Sequence, residues 1–156
     1  DKDISDKIVV SGSVDPNVAG IHILHYNVTD KNDNKAIEVA RTVTVSFTGE
    51  QLASDYRVSE SCSGAGAFSY QVNFNASSAS IYQINITNFY DKFSAAVRAD
   101  ISGTTLNIPS QSPDNNSTMV SGSGTISADG TLINLKYTVS GGGISSGSCT
   151  AVCRKL

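Results

Sequence analysis

Three cysteines are the residues of this 156-residue chain whose chemistry depends most on their positions. Cys62 lies just before an alternating strand pattern, and Cys149 and Cys153 lie in the last strand pattern. On a strand, Cys149 and Cys153 would share a face but stand about 13 Å apart, too far for a bond between them. We therefore expect a disulfide from Cys62 if the first and last strands meet, with Cys149 slightly preferred over Cys153 as its partner.

Such a bond would close a loop of about 90 residues and add about 4 kcal/mol of stability in the chain-entropy description. The alternative is three free, buried thiols in a reducing compartment. The spacing from Cys149 to Cys153, with no nearby His, is a poor zinc pattern, so the cysteines predict no metal site.

The histidines and the acidic loop also predict no metal or cofactor. His22 and His25 would face opposite sides of a strand and could not chelate one ion. Asp15, Asp30 and Asp33 could supply oxygens for Ca²⁺, but the distal Glu of a calcium loop is missing, so a solvated hairpin is favoured. With two histidines among many serines, no Ser/His/Asp set stands out. We expect no enzyme and no catalytic residue.

The candidate ligand-binding residues are Asn88, Tyr90, Asp91 and Lys92, which lie with Phe89 at a strand junction. An aromatic ring can stack on a sugar face while polar side chains bind the hydroxyl groups. Trp, the strongest platform of this kind, is absent from the chain. The alternative is that Phe89 closes the end of a barrel and the segment only packs a turn.

Composition excludes several classes of function. A net charge of −3 and scattered basic residues argue against nucleic-acid binding, which needs clustered Lys and Arg. No apolar run approaches the ~20 residues of a membrane helix. The chain has neither an initiator Met nor a signal peptide. We therefore expect a mature or trimmed chain, compatible with an export signal or lipid anchor outside this fragment.

The strongest structural pattern is the strand Phe68 to Asn75, in which apolar and polar residues alternate strictly. The same period recurs along the chain and predicts an all-β protein with two parts. Residues 1–48 form the first part, 49–59 a linker or crossover with at most one helical turn, and 56–156 an antiparallel meander. Seven or eight short strands in the meander predict a β-sandwich or a small closed barrel.

The segment Val14 to Val45 resembles a bacterial cell-surface immunoglobulin-like repeat. Its matching features are Asp15, Gly20, Tyr26, a hairpin from Asp30 to Asn34 and the closing segment Arg41 to Val45. The hairpin glycine of the family is replaced by Asp33. The match covers the second half of such a repeat, so we expect its first strands to be missing from this sequence.

The remainder of the chain resembles the C-terminal β-domain of uncharacterised surface lipoproteins of Gram-negative gut bacteria. The resemblance rests on SCSGAGAFSYQVNF, ISGTTLNIPSQ, VSGSGTISADGTLINLKYTV and SCTAV. It implies an exported protein, extracellular or at the outer-membrane surface, in the company of glycan-uptake proteins. It carries over no catalytic residues.

Three functions therefore stand as hypotheses. The first is a non-catalytic surface module that binds polysaccharide or helps to capture it. The second is a structural spacer or adhesion module that presents other domains. The third is a lipocalin-like carrier, which would need an internal cavity lined by Tyr70, Tyr82, Phe93 and Tyr137 and would be contradicted by a filled interior.

Overall fold

The computed structural model describes residues 3–63, 65–114, 117–143 and 147–156. The chain divides into two compact units, Asp1–Val45 and Ser46–Leu156. The fold is all-β, with a three-stranded sheet followed by a closed barrel of eight antiparallel strands, which confirms the predicted class. Among the described residues, none of the helices has the length and apolar character needed to cross a membrane.

The first unit is an antiparallel sheet of β1 (Val9–Ser11), β2 (Gly20–Asn27) and β3 (Val39–Val45), in that spatial order. Asp30 shapes the turn between β2 and β3, because its carboxylate accepts hydrogen bonds from the backbone N–H groups of Asn32 (2.7 Å) and Asn34 (3.0 Å). The Asn34 side-chain amide also donates to the Asp30 carboxylate at 2.8 Å, and this bond, followed by the two backbone bonds, holds the pKa of Asp30 below its usual value. The polar loop is thus satisfied by its own backbone, as expected for a hairpin.

No described residue of the first unit is buried. Its strands nevertheless carry large apolar side chains, and Ile37, ahead of β3, is 94% exposed. The sheet therefore gains little from hydrophobic burial within the unit. Its exposed large apolar residues are Ile8, Val9, Val10, Val18, Ile21, Ile23, Ile37 and Val39.

The second unit begins with one helical turn, α1 (Gly49–Leu52), and continues as the barrel. Each strand pairs with the next along the chain, and β4 pairs with β11 to bring the first and last barrel strands together. The strands are β4 (Ser54–Cys62), β5 (Gly66–Ala76), β6 (Gln83–Thr87), β7 (Val97–Ser102), β8 (Thr105–Gln111), β9 (Thr118–Ile126), β10 (Leu132–Gly141) and β11 (Gly147–Lys155).

The alternating residues of these strands fill the barrel interior. Gly122 and Gly124 on β9 face inward opposite Tyr137 and Leu135 of β10. A Cβ at Gly122 would come within 2.4 Å of the Tyr137 Cβ, and one at Gly124 within 2.5 Å of a Leu135 methyl carbon. The room that these glycines leave is therefore taken up by their neighbours' side chains.

The filled interior contradicts the carrier hypothesis. The hollow bounded in part by Val58, Tyr70 and Leu135 has no volume for a water molecule. Tyr82, which was expected to line a cavity, is 48% exposed. Its backbone N–H binds the Ser80 hydroxyl in the turn before β6, so the strand begins one residue after it.

The segment 49–59, predicted as a linker or crossover with at most one helical turn, contains that single turn but belongs to the barrel unit and does not link the two units. Thr48 and Gln51 cap α1 reciprocally, and the Leu52 side chain is fully buried. β4 starts at Ser54 and runs through the rest of the segment. The exposed polar residues of this segment are the outward half of an alternating strand.

Two further strand boundaries differ from what the sequence pattern predicts. Alternation from Phe93 to Ile101 predicts one strand with Ala95 inward, but β7 begins only at Val97 and Ala95 is exposed. Pro109 predicts the end of the strand that starts near Thr104, but β8 continues to Gln111, with a register irregularity between Ile108 and Gln111. A bulge is where a sheet tolerates proline, since the missing N–H is not needed there.

Candidate functional site

The predicted ligand-binding residues lie in a segment that we call the plug, Asn88–Phe93. Phe89 and Tyr90 are buried, and both rings contact the inward-facing Tyr137. Phe89 thus packs against the interior of the barrel, which favours the alternative interpretation that this segment packs a turn. The plug is also strained, because Asn88, Tyr90 and Asp91 adopt left-handed φ values of 57°, 61° and 53°.

The structure brings three of the four predicted residues around one hollow. Tyr90, Asp91 and Lys92 line a depression of about 300 Å³ together with Ala65 and Phe68. The Lys92 ammonium stands 6.0 Å from the Tyr90 ring centroid. Tyr90 exposes 2% of its surface, so it does not present a ring face on which a sugar could stack.

Asn88, the fourth predicted residue, holds the plug in place. Its side-chain amide donates to the Gln71 carbonyl at 2.7 Å and to the Asp91 carboxylate at 3.3 Å. An Asn side chain that hydrogen-bonds to nearby groups of the protein stabilises the left-handed backbone conformation of its own residue. Asp91 and Lys92 are therefore the exposed polar groups that this depression offers to a ligand.

A larger concave surface lies on the outside of the barrel, where sequence reasoning proposed no site. It is a groove of about 690 Å³ across β8, β9, β10 and β11. We call its outward-facing residues the outer wall: Thr105, Asn107, Ser123, Thr125, Asn134, Lys136, Thr150 and Val152. Lys136 is the one charged residue in this set.

The register of the strands places these side chains in two rows. Thr105, Thr125 and Asn134 are direct neighbours across three strands and lead to Val152. Asn107, Ser123 and Lys136 form the adjacent row, which Thr150 continues on β11. Residues directly opposite on one face have Cβ atoms about 5 Å apart, so the small polar side chains of each row are close neighbours, and the rows also contain the apolar Val152 and the charged Lys136.

Most of these polar groups have hydrogen-bonding capacity to spare. The side chains of Asn107 and Asn134 are exposed and make no hydrogen bond to any part of the protein that the structure describes. The same holds for Ser123, Thr125 and Thr150. The outer wall can therefore bind a hydroxyl-rich ligand without breaking bonds within the protein. The alternating pattern shows that these polar residues face outward, but only the pairing of the strands shows that the four segments form one surface.

A disulfide joins β4 to β11 at one end of the barrel. Cys62 and Cys149 are direct cross-strand partners with a Cα–Cα distance of 4.1 Å. This is the pairing preferred on sequence grounds. Cys153 is a buried free thiol, and burial, followed by the charge of Glu60, raises its pKa to about 12. It is therefore an uncharged interior group at neutral pH.

A buried carboxylate beside the disulfide was missed by sequence reasoning. Glu60 is 3% exposed and accepts hydrogen bonds from the hydroxyls of Tyr70 (2.5 Å) and Tyr137. Burial raises the pKa of Glu60, and the two hydroxyls offset part of that increase. The signal was available in the sequence, since Glu60 occupies an inward position between Val58 and Cys62.

The two histidines take part in local contacts of the first unit. The His22 ring is 2.9 Å from the Val18 carbonyl, and the His25 ring is 2.7 Å from the Glu38 carboxylate. Among the described residues, the grouping suited to a metal ion is Glu60 with Cys62 and Cys149, whose sulfurs are bonded to each other. In the oxidised protein that grouping offers no thiolate.

Three solved structures resemble this chain at low sequence identity. One is EF1p2_mFAP2b bound to DFHBI, with a TM-score of 0.49, 16% identity, and coverage of 70% of this chain and 98% of that chain. A second is the lipoprotein BT2262 from Bacteroides thetaiotaomicron, with a TM-score of 0.40, 17% identity, and coverage of 99% and 84%. A third is a protein of unknown function from Nostoc punctiforme, with a TM-score of 0.43, 8% identity, and coverage of 94% and 65%. All three TM-scores lie below 0.5, so none of these similarities establishes a function.

The family comparison is more specific but covers only the first unit. No curated protein matches the chain. Residues 1–45 match the family described as bacterial surface protein, Ig-like domain, which confirms the resemblance predicted from Val14 to Val45. That match and the Cys62–Cys149 disulfide together indicate an exported surface protein. The first unit is thus similar to the immunoglobulin-like domain of bacterial surface proteins.

Proposed function

We propose that this chain is a non-catalytic module of the bacterial cell surface that captures polysaccharide on the outer wall of its barrel. The observation that carries the proposal is the groove of about 690 Å³, in which five exposed polar side chains have no hydrogen-bond partner among the described residues: Asn107, Ser123, Thr125, Asn134 and Thr150. Its volume lies within the range of ligand sites, roughly 300–1,000 Å³.

The chemistry of the outer wall favours an uncharged, hydroxyl-rich ligand. Each sugar hydroxyl can donate and accept a hydrogen bond, and amide and hydroxyl side chains can do the same. A typical hydrogen bond contributes about 1 kcal/mol net, so a useful affinity needs several bonds at once. The two rows of polar side chains offer several along an extended chain, whereas Lys136 alone would not select an anionic polymer.

The outer wall contains no aromatic side chain, and this sets the expected strength of binding. Trp is absent and Tyr90 is covered, so hydrogen bonds would carry most of the recognition. We expect weak binding of single sugars and stronger retention on long polymers, where many copies of the same contact raise the effective concentration. The sequence motifs that resemble surface lipoproteins of gut bacteria favour outer-membrane glycan-uptake proteins as partners.

Affinity electrophoresis tests the proposal. The protein is run through native gels that contain a neutral polysaccharide, one gel for each of a panel. We expect retardation in at least one gel and its loss in a double variant, Asn107→Ala with Asn134→Ala, which removes two amides from the outer wall. The matched control is Asn75→Ala with Asn85→Ala, a pair of neighbouring amides on β5 and β6 outside the groove.

Two outcomes would contradict polysaccharide capture at this site. The first is unchanged mobility of the protein on every neutral polysaccharide. The second is equal loss of retardation in the wall variant and the control variant. Retardation that instead depends on Asp91→Ala and Lys92→Ala would move the site to the plug depression.

A second function is favoured by the family match of the first unit. Immunoglobulin-like modules can act as spacers that hold other domains away from a surface, and residues 1–45 match such a module. We propose a structural spacer or adhesion role as the alternative. This role would be favoured over polysaccharide capture if no polysaccharide retards the protein.

A further inference from the structure

Glu60, Cys62 and Cys149 bring three metal-binding atoms together at one end of the barrel. A carboxylate oxygen and the two sulfurs lie within 4.8 Å of one another. Cys62 Sγ is 3.0 Å from Glu60 Oε1, a contact rather than a hydrogen bond because a disulfide sulfur carries no hydrogen. The three residues expose 3%, 6% and 2% of their surfaces, so water competes little at this position.

Reduction would change the chemistry of this cluster. A dithiol reductant transfers two electrons and two protons to the disulfide, becomes a cyclic disulfide itself, and leaves Cys62 and Cys149 as thiols. The two sulfurs are no longer bonded to each other and can move apart to separate positions around an ion. Two thiols and a carboxyl group would share one poorly hydrated space, where their negative forms repel one another. A divalent cation would remove that repulsion.

We propose that the reduced protein binds one thiophilic divalent metal ion, of the Zn²⁺ type, through Cys62, Cys149 and Glu60. Binding of the ion releases the thiol protons and leaves thiolate ligands, the form in which sulfur binds metals. Three protein ligands leave the fourth position of a tetrahedral ion open to water. The oxidised protein, in which the two sulfurs are bonded to each other, cannot bind the ion, and reduction of the disulfide makes the site available.

The groups around the cluster fit this role. Tyr70 and Tyr137 donate hydrogen bonds to the two Glu60 oxygens and so fix the carboxylate in place beside the sulfurs. The Tyr70 hydroxyl in turn accepts a hydrogen bond of 3.1 Å from the Tyr90 backbone N–H in the plug. Outer partners of this kind orient metal ligands, and their loss commonly costs about 10–100-fold in metal affinity.

Cobalt titration tests the site, because Co²⁺ reports both thiolate ligation and tetrahedral geometry in its absorption spectrum. The full chain carrying Cys153→Ala, which removes the third thiol, is reduced with dithiothreitol and desalted without oxygen before Co²⁺ is added. We expect thiolate-to-cobalt charge-transfer bands that saturate at one equivalent. The oxidised chain should show none, and Glu60→Gln should weaken binding by about tenfold or more.

Thermal unfolding in the presence of Zn²⁺ covers the case in which reduction destabilises the barrel. A metal that binds the folded chain raises its Tm, and it refolds a chain that has come apart without it. We therefore expect Zn²⁺ to raise the Tm of the reduced protein, or to restore its β-sheet circular dichroism if reduction has unfolded it. The oxidised protein should show neither effect.

Three results would overturn the proposal. One is that Zn²⁺ neither stabilises nor refolds the reduced protein. Another is that Glu60→Gln binds Co²⁺ as tightly as its parent. The third is that reduced wild-type protein binds Co²⁺ but the Cys153→Ala chain does not, which would assign the ion to Cys153.

Discussion

The two units of this chain use the same sequence pattern to opposite effect. In the barrel, alternating apolar residues such as Ile84 and Ile86 are completely buried. In the first unit, alternating residues such as Ile21 and Val39 are 72% and 63% exposed. Period-two alternation therefore predicts a strand in both places, but burial depends on whether the apolar face meets a second layer. The barrel supplies that layer by closing on itself.

The largest expected difference between the units comes from the disulfide. Reduction frees a loop whose ends are 87 residues apart, which should lower the free energy of unfolding of the barrel by about 4 kcal/mol. The first unit carries no cysteine, so its NMR amide signals should keep their positions. Chemical denaturation with and without a dithiol reductant measures the effect. Equal stability in the two states would show that the barrel does not depend on the bond.

The same substitution at two isoleucines compares the stability contributed by a buried residue of the barrel and by an exposed residue of the first unit. Ile86→Ala removes a fully buried side chain and should cost about 3 kcal/mol, from lost transfer energy and the cavity left behind. Ile37→Ala changes a residue that is 94% exposed and should stay within about 0.5 kcal/mol of wild type. Urea denaturation monitored by circular dichroism compares them. A large loss in Ile37→Ala would reveal that this side chain is covered in solution.

The glycines of β9 test how tightly the barrel is filled. Gly122→Ala places a Cβ within 2.4 Å of Tyr137 and should cost about 1–3 kcal/mol by overpacking. Ser123→Ala, on the next residue and facing outward, should change stability by less than about 0.5 kcal/mol. Thermal melts of both variants give the comparison. Similar Tm values would mean that the interior can yield to the extra methyl group.

The smallest expected difference between the units is in how the stability contributions of Glu60 and Glu38 depend on pH. In the oxidised barrel, burial raises the pKa of Glu60 above its unfolded value near 4.5. Its contribution to stability is therefore complete below that pH and is lost as pH rises through the folded-state pKa. In the first unit, hydrogen bonds from Asn27 and His25 lower the pKa of Glu38. That contribution is present above the unfolded pKa and is lost in acid.

Replacing each carboxylate by the amide of the same shape, in Glu60→Gln and Glu38→Gln, separates its contribution to stability from those of the other carboxylates. The difference in Tm between wild type and Glu60→Gln should become less favourable to wild type as pH rises above about 4.5. The difference between wild type and Glu38→Gln should become less favourable to wild type as pH falls below that value. Parallel pH profiles for Glu60→Gln and wild type would argue against a buried titrating carboxylate.

Long, strictly alternating strands are easier to predict from the sequence than short or irregular ones. The alternation around β5 predicts a half-buried strand and its inward residues, such as Val72 and Phe74, and both are buried. The segment 49–59 is predicted as a linker or crossover, but β4 begins within it at Ser54, and its Tyr56 and Val58 are buried. A short strand with a small apolar half resembles a loop until a neighbouring strand pairs with it.

The candidate site depended still more on tertiary pairing. The plug was recognised as a cluster of aromatic and polar residues, but only the folded chain shows that Tyr90 turns inward. The outer wall has no local signature, because its residues come from four strands and each strand contributes two of them. The inward position of Glu60 can be read from the alternation of β4, but its partners Tyr70 and Tyr137 lie 10 and 77 residues away along the chain, so only the fold shows the hydrogen-bonded cluster.

The pairing of β4 with β11 has a consequence for how the barrel forms. The other neighbouring strands are consecutive along the chain, so their pairing closes short loops, whereas this pairing closes nearly the whole unit. Contacts between distant residues cost more chain entropy and form slowly. We expect the meander to assemble first, with β4 and β11 as two open edges that could pair with other chains. Once the disulfide has formed, it keeps β4 and β11 joined even in the unfolded chain. Because the ends of this long loop are then already close together, we expect the β4–β11 pairing to re-form early when the oxidised protein refolds.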